Sequence, residues 1–469
     1  MSDGSHPQAT QMARETLLKR RPWYGLAVTL LLLSAVSRQP LVFLAALFAL
    51  VCGLVPELWY RRSLWRLRLD LELDRSAVPL GQEVTLTLRA ENRKLLPLPW
   101  LEVEIEIPRQ LPLLSGRSLP SYKANRALLV NGLAIWGYQR VRRRYRLRCP
   151  QRGVYSLGPL LVRTGDPFGW LIRQELLERQ VRLLVYPQVL PLADFGLTTL
   201  APLGTQTSLL RLLEDPLRFA GVRPYQPGDD PRYLHWKASA RGAGLYRKLF
   251  EPASTARLLL ALNINTFREP WMGIDAGLQE LLISLTASLA VWGLQAGYQV
   301  GLLVNSLLAP WDERQTGPEE GRQLVRSDQA TYHARVAVPC ARGDEQELLL
   351  LRTLARLLPY MGAAIDPLLE PESLPLPAGG TLLLITAASV LQESTVECLL
   401  ELRRRGLAPQ LVLVGEEDEV AAAAVQKAAG LIPVRHLQGK EQWHELCQMA
   451  GVEMETRRQP RPTCSDELA

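Results

Sequence analysis

The side chains best suited to chemistry lie in one short stretch, from Arg223 to Arg241. Asp229, Asp230 and His235 are close together there, and carboxylates beside an imidazole are residue types that serve as general acid and base. The histidine has no serine or cysteine partner in a recognisable nucleophile motif, so no catalytic triad can be argued for it. A hydrolase or transferase that uses this cluster is therefore an alternative and not the main expectation.

The rest of the 469-residue chain lacks the common catalytic patterns. It contains no GxxxxGK[ST] phosphate loop, no GxSxG elbow and no HExxH motif, since His444 and Glu445 are not followed by the second histidine. The six cysteines form no CxxC pair, which argues against a zinc site and is typical of a reducing compartment. The sequence predicts no catalytic residue, no cofactor and no metal.

The local pattern of the Arg223–Arg241 stretch predicts a turn followed by a short helix. Gly228 can supply a positive φ for the turn. Asp230 before Pro231 is typical of an N-cap followed by proline at the first helical position. The predicted helix runs from Pro231 to about Arg241 and ends at Gly242. Its function is either a structural joint between the two halves of the chain or a docking surface for a partner protein.

Two blocks of sequence resemble a known bacterial family. The pattern Arg-Pro-Tyr-x-Pro-Gly-Asp-Asp-Pro-Arg-x-x-His-Trp-Lys-Ala-Ser-Ala-Arg from Arg223 is similar to the signature of the "domain of unknown function 58" family. Upstream, Arg152-Gly-Val-Tyr-Ser-Leu-Gly-Pro159 and Asp166-Pro-Phe-Gly169 resemble a second motif of that family. The resemblance extends over roughly residues 20 to 450 and implies no established activity.

The positions that carry this resemblance form two sets. The first set, interpreted as the joint or docking surface, is Arg223, Tyr225, Gly228, Asp229, Asp230, Arg232, His235, Trp236, Lys237, Ala240 and Arg241. The second set is Arg152, Gly153, Tyr155, Gly158, Asp166, Pro167, Phe168 and Gly169. For Asp166–Gly169 the residues themselves indicate a turn with one buried aromatic side chain, a structural corner.

The N-terminal pattern predicts a membrane anchor. Residues 1–21 are polar and are expected to be a cytoplasmic segment, and residues 22–60 hold two apolar runs, Trp23–Ser37 and Leu41–Val55. Arginines and lysines flank the pair on both outer sides while the loop between carries only Arg38, so the positive-inside rule places both termini in the cytoplasm. The alternatives are a signal peptide ending near Ser37 and a hairpin buried in a soluble core.

Residues 67–190 predict an antiparallel β-sandwich. Leu, Val and Ile alternate with charged residues and threonines, the period of half-buried strands. One predicted strand places five arginines on one face: Arg140, Arg142, Arg144, Arg146 and Arg148. The main interpretation is a solvated face. The alternatives are a face near anionic lipid and anion or nucleic-acid binding, but the face lacks aromatic residues for base stacking.

The C-terminal half predicts a different architecture. Residues 187–222 show little periodicity and are expected to connect the halves, so 191–255 is treated as a linker that carries the signature, with a strand at Leu245–Glu251. From 256 to 451 apolar strands alternate with amphipathic helices, which predicts a doubly wound parallel sheet. Residues 452–469 are polar and are expected to be a flexible tail.

The resemblance implies that this half is a von Willebrand factor A-like domain. Such domains hold magnesium through an Asp-x-Ser-x-Ser sequence after the first strand, with a threonine and an aspartate elsewhere. The corresponding positions here are Asn263, Asn265, Phe267 and, on a later strand, Thr386. Every carboxylate is missing, and neutral amides alone hold a hard cation poorly. The site is therefore expected to be degenerate.

Together these patterns predict a non-catalytic scaffold or adaptor that binds protein partners. We expect a multi-pass protein of the inner (plasma) membrane whose soluble domains face the cytoplasm. The resemblance implies a partnership with a MoxR-type AAA+ ATPase and other membrane proteins in envelope or complex assembly. A nucleic-acid partner is not expected.

Overall fold

The computed structural model describes most of the chain. The described residues are 21–37, 39–167, 169–192, 214–226, 233–241, 244–252, 257–309, 335–360, 362–370, 374, 376 and 379–437. The chain divides into two compact units, one ending at Val185 and the other beginning at Tyr186. Each unit is described by itself below.

The N-terminal unit begins with two helices that pack against each other, α1 (Arg21–Ser37) and α2 (Pro40–Arg62). Both predicted apolar runs are therefore helical. Proline at the first position of α2 suits a helix start, because its fixed φ is already helical and its missing N–H is not needed there. Among the described helices, α2 is long and apolar enough to cross a membrane. The helix Ala276–Gln295 also meets this test, but it is mostly buried within the C-terminal unit.

Antiparallel strands follow and form a sandwich-like body, as the alternating pattern predicts. In chain order they are β1 (Leu67–Leu73), β2 (Ala77–Pro79), β3 (Glu83–Asn92), β4 (Leu98–Pro108), β5 (Ser118–Pro120), β6 (Arg126–Ile135), β7 (Arg140–Arg148), β8 (Gly153–Leu157), β9 (Leu160–Gly165), β10 (Ile172–Leu177) and β11 (Val181–Tyr186). Among described residues the sheet orders are β1-β3-β7, β10-β9-β4-β6-β5 and β2-β11-β8.

The core of this body follows directly from the period of two. On β3, Val84, Leu86 and Leu88 are buried, while the intervening threonines are only partly covered. Leucine, valine and isoleucine side chains of β1, β3, β4 and β6 join in one apolar cluster. One polar pair lies inside it, where the Tyr145 hydroxyl of β7 donates a hydrogen bond to Asn131 Oδ1 of β6. This bond joins the two larger sheets through their shared core.

The C-terminal unit combines a two-stranded ladder with an α/β body. Its elements are β12 (Glu214–Pro224), α3 (Trp236–Ser239), β13 (Tyr246–Pro252), β14 (Arg257–Leu262), α4 (Ala276–Gln295), β15 (Gln299–Val304), β16 (Val336–Ala341), α5 (Asp344–Ala355), β17 (Thr381–Ala387), α6 (Glu393–Arg404), β18 (Ala408–Val414), α7 (Glu419–Ala428) and β19 (Val434–Leu437). The six-stranded sheet of the described residues has the order β16-β15-β14-β17-β18-β19.

The expected all-parallel sheet is wrong at one edge. Strands β15, β14, β17, β18 and β19 are parallel to their neighbours, but β16 pairs antiparallel with β15. Pro339 lies in β16 and is exposed, which suits an edge strand because proline cannot donate a ladder hydrogen bond. An antiparallel edge strand on a parallel sheet is common, and apolar composition alone does not reveal strand direction.

Two further expectations fail in the segment before the α/β body. Residues 187–222 were expected to connect the two halves without a regular element, yet β12 begins at Glu214 and pairs with β13. Prolines, a glycine and irregularities in the register hide its period. The predicted helix 231–241 is too long, because Leu234 pairs with Arg247 in an isolated β-bridge and α3 covers only Trp236–Ser239. The sequence pattern also predicts a last helix at Gln442–Met449, which lies outside the described residues.

Candidate functional site

The carboxyl ends of three neighbouring parallel strands bring together two residues predicted for a degenerate metal site and one that was not predicted. Leu262 at the end of β14 is paired with Val304 of β15 and with Ile385 of β17. The next residues along the three strands are Asn263, Asn305 and Thr386. All three side chains are buried, with at most 2% of the residue surface exposed. The edge of the sheet therefore holds a compact polar cluster.

Hydrogen bonds join these side chains to one another. Asn263 Oδ1 accepts from Asn305 Nδ2 at 2.8 Å, and Asn263 Nδ2 donates to Thr386 Oγ1 at 3.1 Å. Asn305 Oδ1 accepts from the backbone N–H of Ile264 at 2.8 Å. Each amide thus uses both its oxygen and its nitrogen inside the cluster, here called the amide network.

A neighbouring loop closes over the amide network. Asn265 Oδ1 accepts from the backbone N–H of Gly362 at 2.7 Å, and Asn305 Nδ2 donates to the carbonyl of Ala363 at 2.6 Å. The backbone of Gly362 approaches so closely that a Cβ atom would overlap the carbonyl oxygen of Asn305. Glycine is the residue that allows this approach.

The carboxylates near this edge have other partners. Asp275 caps α4 by accepting from the backbone N–H of Gly277 at 3.1 Å. Asp418 caps α7 by accepting from Ala421 N at 2.8 Å, and it also pairs with Arg268 at 3.0 Å. Within the described ranges no group of three histidine, cysteine, aspartate or glutamate residues could hold a metal ion. The residues of the amide network do not fit magnesium, because they are neutral and already paired with protein groups.

Sequence reasoning found Asn263, Asn265 and Thr386 but missed Asn305 and Gly362. The signal for Asn305 was present, since it directly follows an apolar strand next to β14, and neighbouring parallel strands end at the same edge. Phe267 is only partly buried and has no place in the amide network. The residue before it, Thr266, has a structural role: its Oγ1 accepts a hydrogen bond from the backbone N–H of Asp275 at 2.9 Å.

The Arg223–Arg241 stretch begins at the end of β12. Arg223 pairs with Arg247 in the ladder, and the backbone N–H of Tyr225 donates to Leu245 O at 2.8 Å. The turn positions Gly228, Asp229, Asp230 and Arg232 lie outside the described residues.

His235 is the N-cap of α3, a place predicted for Asp230. Its Nδ1 accepts a hydrogen bond from the backbone N–H of Ala238 at 2.9 Å, and its own backbone N–H donates to Tyr246 O at 2.8 Å. A ring nitrogen that accepts from a backbone N–H holds the local turn, which is a structural use. The outer side of this turn exposes Trp236, Lys237, Ala240 and Arg241.

The second family motif occupies two places in the N-terminal unit. In the first, Gly153 begins β8, Arg152 is buried, and the Tyr155 hydroxyl donates to Gln151 O at 2.9 Å. At Gly158, which has a φ of 107°, a side chain would meet the backbone of Arg179. These residues hold the connection that leads into β9.

The second place is the turn from Asp166 to Gly169, before β10. Asp166 is buried, and its Oδ1 accepts from the backbone N–H of Leu171 at 2.6 Å. Its carbonyl accepts from Gly169 N at 3.0 Å. Pro167 is exposed, and Phe168 lies outside the described residues. The aspartate thus uses its side chain and backbone to fix the turn.

Acids of the neighbouring strand β3 lie opposite the two ends of the arginine strand β7. Register places Arg140 opposite Glu91 and Arg148 opposite Glu83 on β3. Arg140 and Arg93 both bind Glu91, at 3.0 and 2.9 Å, and their hydrogen bonds lower the pKa of that carboxyl to about 2. Among the described residues, Arg142 and Arg144 are exposed without a recorded ion pair. The face is of mixed charge, which weakens the nucleic-acid alternative.

Two buried groups and one partly buried thiol have shifted pKa values. Lys94 is buried, and desolvation lowers its pKa to about 8, while its Nζ donates to Asn92 Oδ1 at 3.0 Å. Burial raises the pKa of the Cys149 thiol to about 11, and it does the same for Cys340. Thiols of such high pKa are poor nucleophiles at neutral pH, because the reactive form is the thiolate.

Comparisons with known proteins found similarity to a family model over part of the chain and to an uncharacterized relative. The family model described as "Protein of unknown function DUF58" matches residues 221–328, which include the Arg223–Arg241 stretch. The uncharacterized protein YeaD of Bacillus subtilis (strain 168) is 25% identical over 309 residues, covering 64% of this chain and 70% of YeaD. Neither match indicates a catalytic family.

Some solved structures are similar to about a quarter of the chain. A CARDB domain from Pyrococcus furiosus matches 25% of the chain and 93% of its own length, with 11% identity and a TM-score of 0.17. A type II cohesin domain from Acetivibrio cellulolyticus matches 25% of the chain and 94% of its own length, with 7% identity and a TM-score of 0.20.

Proposed function

We propose that this chain is a membrane-anchored, non-catalytic scaffold or adaptor whose C-terminal unit binds protein partners. The observation that carries the proposal is the amide network. A sheet edge where oxygen ligands could gather is filled by Asn263, Asn305 and Thr386, which hydrogen-bond to one another. Since their polar groups are satisfied internally, the network offers no reactive group to a substrate.

The anchor in this proposal is the pair α1 and α2, which cross the bilayer as a hairpin. Supporting it, α2 is 23 residues long and exposes Phe43, Leu44 and Phe48 along its length. Arg61 and Arg62 end the helix. In the sequence, Arg20 and Arg21 precede the apolar run of α1. Under the positive-inside rule both ends face the cytoplasm, as do the two folded units, in a multi-pass arrangement in the inner membrane.

The C-terminal unit in this proposal is a degenerate von Willebrand A-like domain. Its support is a mostly parallel sheet with α4 after the first strand and the amide network at the carboxyl edge. Ligands of open α/β sheets bind at this edge. With no carboxylate in the network, recognition there relies on loop shape and backbone groups.

The partner we propose is an AAA+ ATPase of MoxR type, together with other membrane proteins, in envelope or complex assembly. This step rests on the family resemblance. Such an ATPase would supply nucleotide chemistry, for which this chain has no phosphate-binding loop motif. The candidate docking surface is the exposed side of α3, where Trp236, Lys237 and Arg241 lie together. Exposed tryptophan and arginine are the residue types most often found at binding hot spots.

The test is cross-linking with mass spectrometry of the full chain in native membranes. We expect a MoxR-type ATPase to be recovered with the wild-type chain and lost with the triple variant Trp236→Ala, Lys237→Ala, Arg241→Ala. Trp271→Ala is the matched control, because Trp271 is also an exposed tryptophan of this unit. Repeated failure to recover such an ATPase would count against the partner, and equal recovery with the triple variant would count against the docking surface.

A further inference from the structure

Four connections lie together at one end of the sandwich-like body. They are residues 63–66, 93–97, 136–139 and 166–171, which precede or follow β1, β3, β7 and β10. The backbone N–H of Arg93 donates to Arg66 O at 3.0 Å, and that of Tyr138 donates to Lys94 O at 3.2 Å. Leu101 is paired with Thr164, so the start of β4 lies beside the last of these connections. We call this end the helix-side pole.

The helix-side pole adjoins the carboxyl end of α2. Arg173, the second residue of β10, donates from Nη1 to the carbonyls of Arg61 and Tyr60, at 3.0 and 3.3 Å. The chain leaves α2 and enters β1 after only four residues, and Leu67 N donates to Leu64 O at 3.2 Å. The end of the apolar helix and the turns of the sandwich therefore form one continuous surface.

Large apolar side chains are exposed on this pole. Leu95, Trp136 and Tyr138 are 78%, 70% and 71% exposed. Trp65 and Ile172 are also exposed. The far end of the sandwich exposes fewer such side chains, with Tyr122 the most exposed at 87%. Contiguous exposed apolar groups of this kind mark a surface that contacts a partner or a membrane.

Cationic groups accompany the aromatic ones. Arg62, Arg66 and Arg93 are exposed at the same pole, and the Arg66 guanidinium lies 4.4 Å from the centroid of the Trp65 ring. Tryptophan and tyrosine gather at membrane–water interfaces because one part of the ring is apolar and the other polar. Arginines beside them attract anionic headgroups. The composition of the pole is that of an interfacial surface.

We propose that the helix-side pole rests in the interface of the bilayer that α2 crosses, with Leu95, Trp136 and Tyr138 among the lipid headgroups. This inference rests on the proposed membrane anchor. Lipid is the occupant that fits, because the pole continues the exposed apolar surface of α2 and is hydrogen-bonded to the end of that helix. The anchor already places this surface at the membrane, so a partner protein would have to displace lipid from it.

The proposal also assigns a function to the Asp166–Gly169 motif. Asp166 fixes the turn by accepting from Leu171 N, and Leu171 itself is buried. The exposed residues on either side, Trp170 and Ile172, are thereby held outward at the pole. In this account the motif orients a membrane-contacting turn of the sandwich.

The test places a photoreactive benzoylphenylalanine at single positions of the full chain in nanodiscs of phosphatidylethanolamine and phosphatidylglycerol. The positions are Trp136 and Tyr138 at the pole, Tyr122 at the far end, and Phe48 on α2, an exposed helix residue. After irradiation, mass spectrometry detects addition of one lipid mass. We expect lipid adducts at Phe48, Trp136 and Tyr138, and none at Tyr122.

The outcomes separate the two proposals. Adducts at Phe48 without adducts at Trp136 and Tyr138 would overturn the interfacial pole while leaving the anchor intact. A lack of adducts at Phe48 would overturn the membrane anchor itself. Cross-linked dimers from Trp136 in place of lipid adducts would also overturn the pole as a lipid surface, since a second copy would then be its occupant.

Discussion

The Oδ1 atom of Asn263 lies 2.8 Å from the Nδ2 atom of Asn305, and each residue is the first after one of two adjacent parallel strands. Because both amides are buried, this hydrogen bond replaces water at the edge of the sheet. The polar atoms of the two amides that could bind a cation or a substrate are therefore already hydrogen-bonded to each other.

A carboxylate introduced into the amide network should destabilise it. In Asn263→Asp, the new charge is buried with neutral partners and no cation. We expect the free energy of unfolding at pH 7 to fall by about 1–3 kcal/mol. Burial raises the pKa of such a carboxyl in the folded state, so the folded state binds the proton more tightly than the unfolded state. The loss of stability relative to the wild type should therefore become smaller as the pH falls. Denaturant unfolding of the full chain in micelles, followed at several pH values, measures this.

The control for that substitution is Asn125→Asp. Asn125 is exposed, and the change of atoms is identical. We expect an effect within about 0.5 kcal/mol there. If Asn263→Asp were as stable as the wild type in the absence of any metal, the amide network would not be the closed cluster described here.

Gly362 should tolerate no side chain. In Gly362→Ala the new Cβ would overlap the Asn305 carbonyl, and the loop must move away from Asn265 and Asn305. We expect a loss of about 1–3 kcal/mol from overpacking, measured by the thermal midpoint of the full chain. Gly277→Ala is the matched control: Gly277 lies in the first turn of α4, and its Cβ would make only an ordinary contact. If Gly362→Ala left the thermal midpoint unchanged, the loop would not close over the network.

The bond between Tyr145 and Asn131 should contribute to the stability of the sandwich. Tyr145→Phe removes the hydroxyl and leaves Asn131 Oδ1 buried without that donor, at a cost of about 1–3 kcal/mol. Tyr122→Phe removes the same hydroxyl from an exposed tyrosine and is expected to change stability by less than about 0.5 kcal/mol. Chemical denaturation of the two variants compares them. Equal stabilities would show that the hydroxyl of Tyr145 is not needed in the core.

Lys94 should make stability depend on pH in the alkaline range. Burial lowers its pKa from 10.5 to about 8, so between these values the unfolded chain binds more protons than the folded one. Stability therefore rises with pH through this window. Lys94→Met removes the titrating group, and the wild type should gain stability relative to the variant from pH 8 to pH 10.5. Thermal midpoints of both proteins across that range measure the difference. A constant difference would contradict the lowered pKa.

Much of the fold could be predicted from the sequence, because its signals are local. The alternation of Val84, Leu86 and Leu88 with threonines gives β3, and the uniformly apolar run Leu258–Leu262 gives a buried strand of the α/β body. What failed depends on tertiary pairing. Leu234 looks helical in its own sequence, but its bridge to Arg247 keeps it out of α3.

The candidate site was predicted in part. Asn263 and Thr386 were expected at one site because the family resemblance implies a metal site at those positions. Asn305 was missed because the resemblance implies only positions that bind metal in other proteins. The network here also uses the residue after β15, the strand beside β14. Gly362 could not be foreseen, since its approach to Asn305 joins positions far apart in the chain.

The most direct test of the central claim is titration of the full chain with Mg²⁺, Mn²⁺ and Ca²⁺, followed by calorimetry and by the thermal midpoint. The amide network predicts no saturable binding that depends on Asn263 and no shift of the midpoint on adding these cations or a chelator. Saturable binding in the wild type that is lost in Asn263→Ala would contradict the claim, because it would show that this sheet edge holds a metal ion.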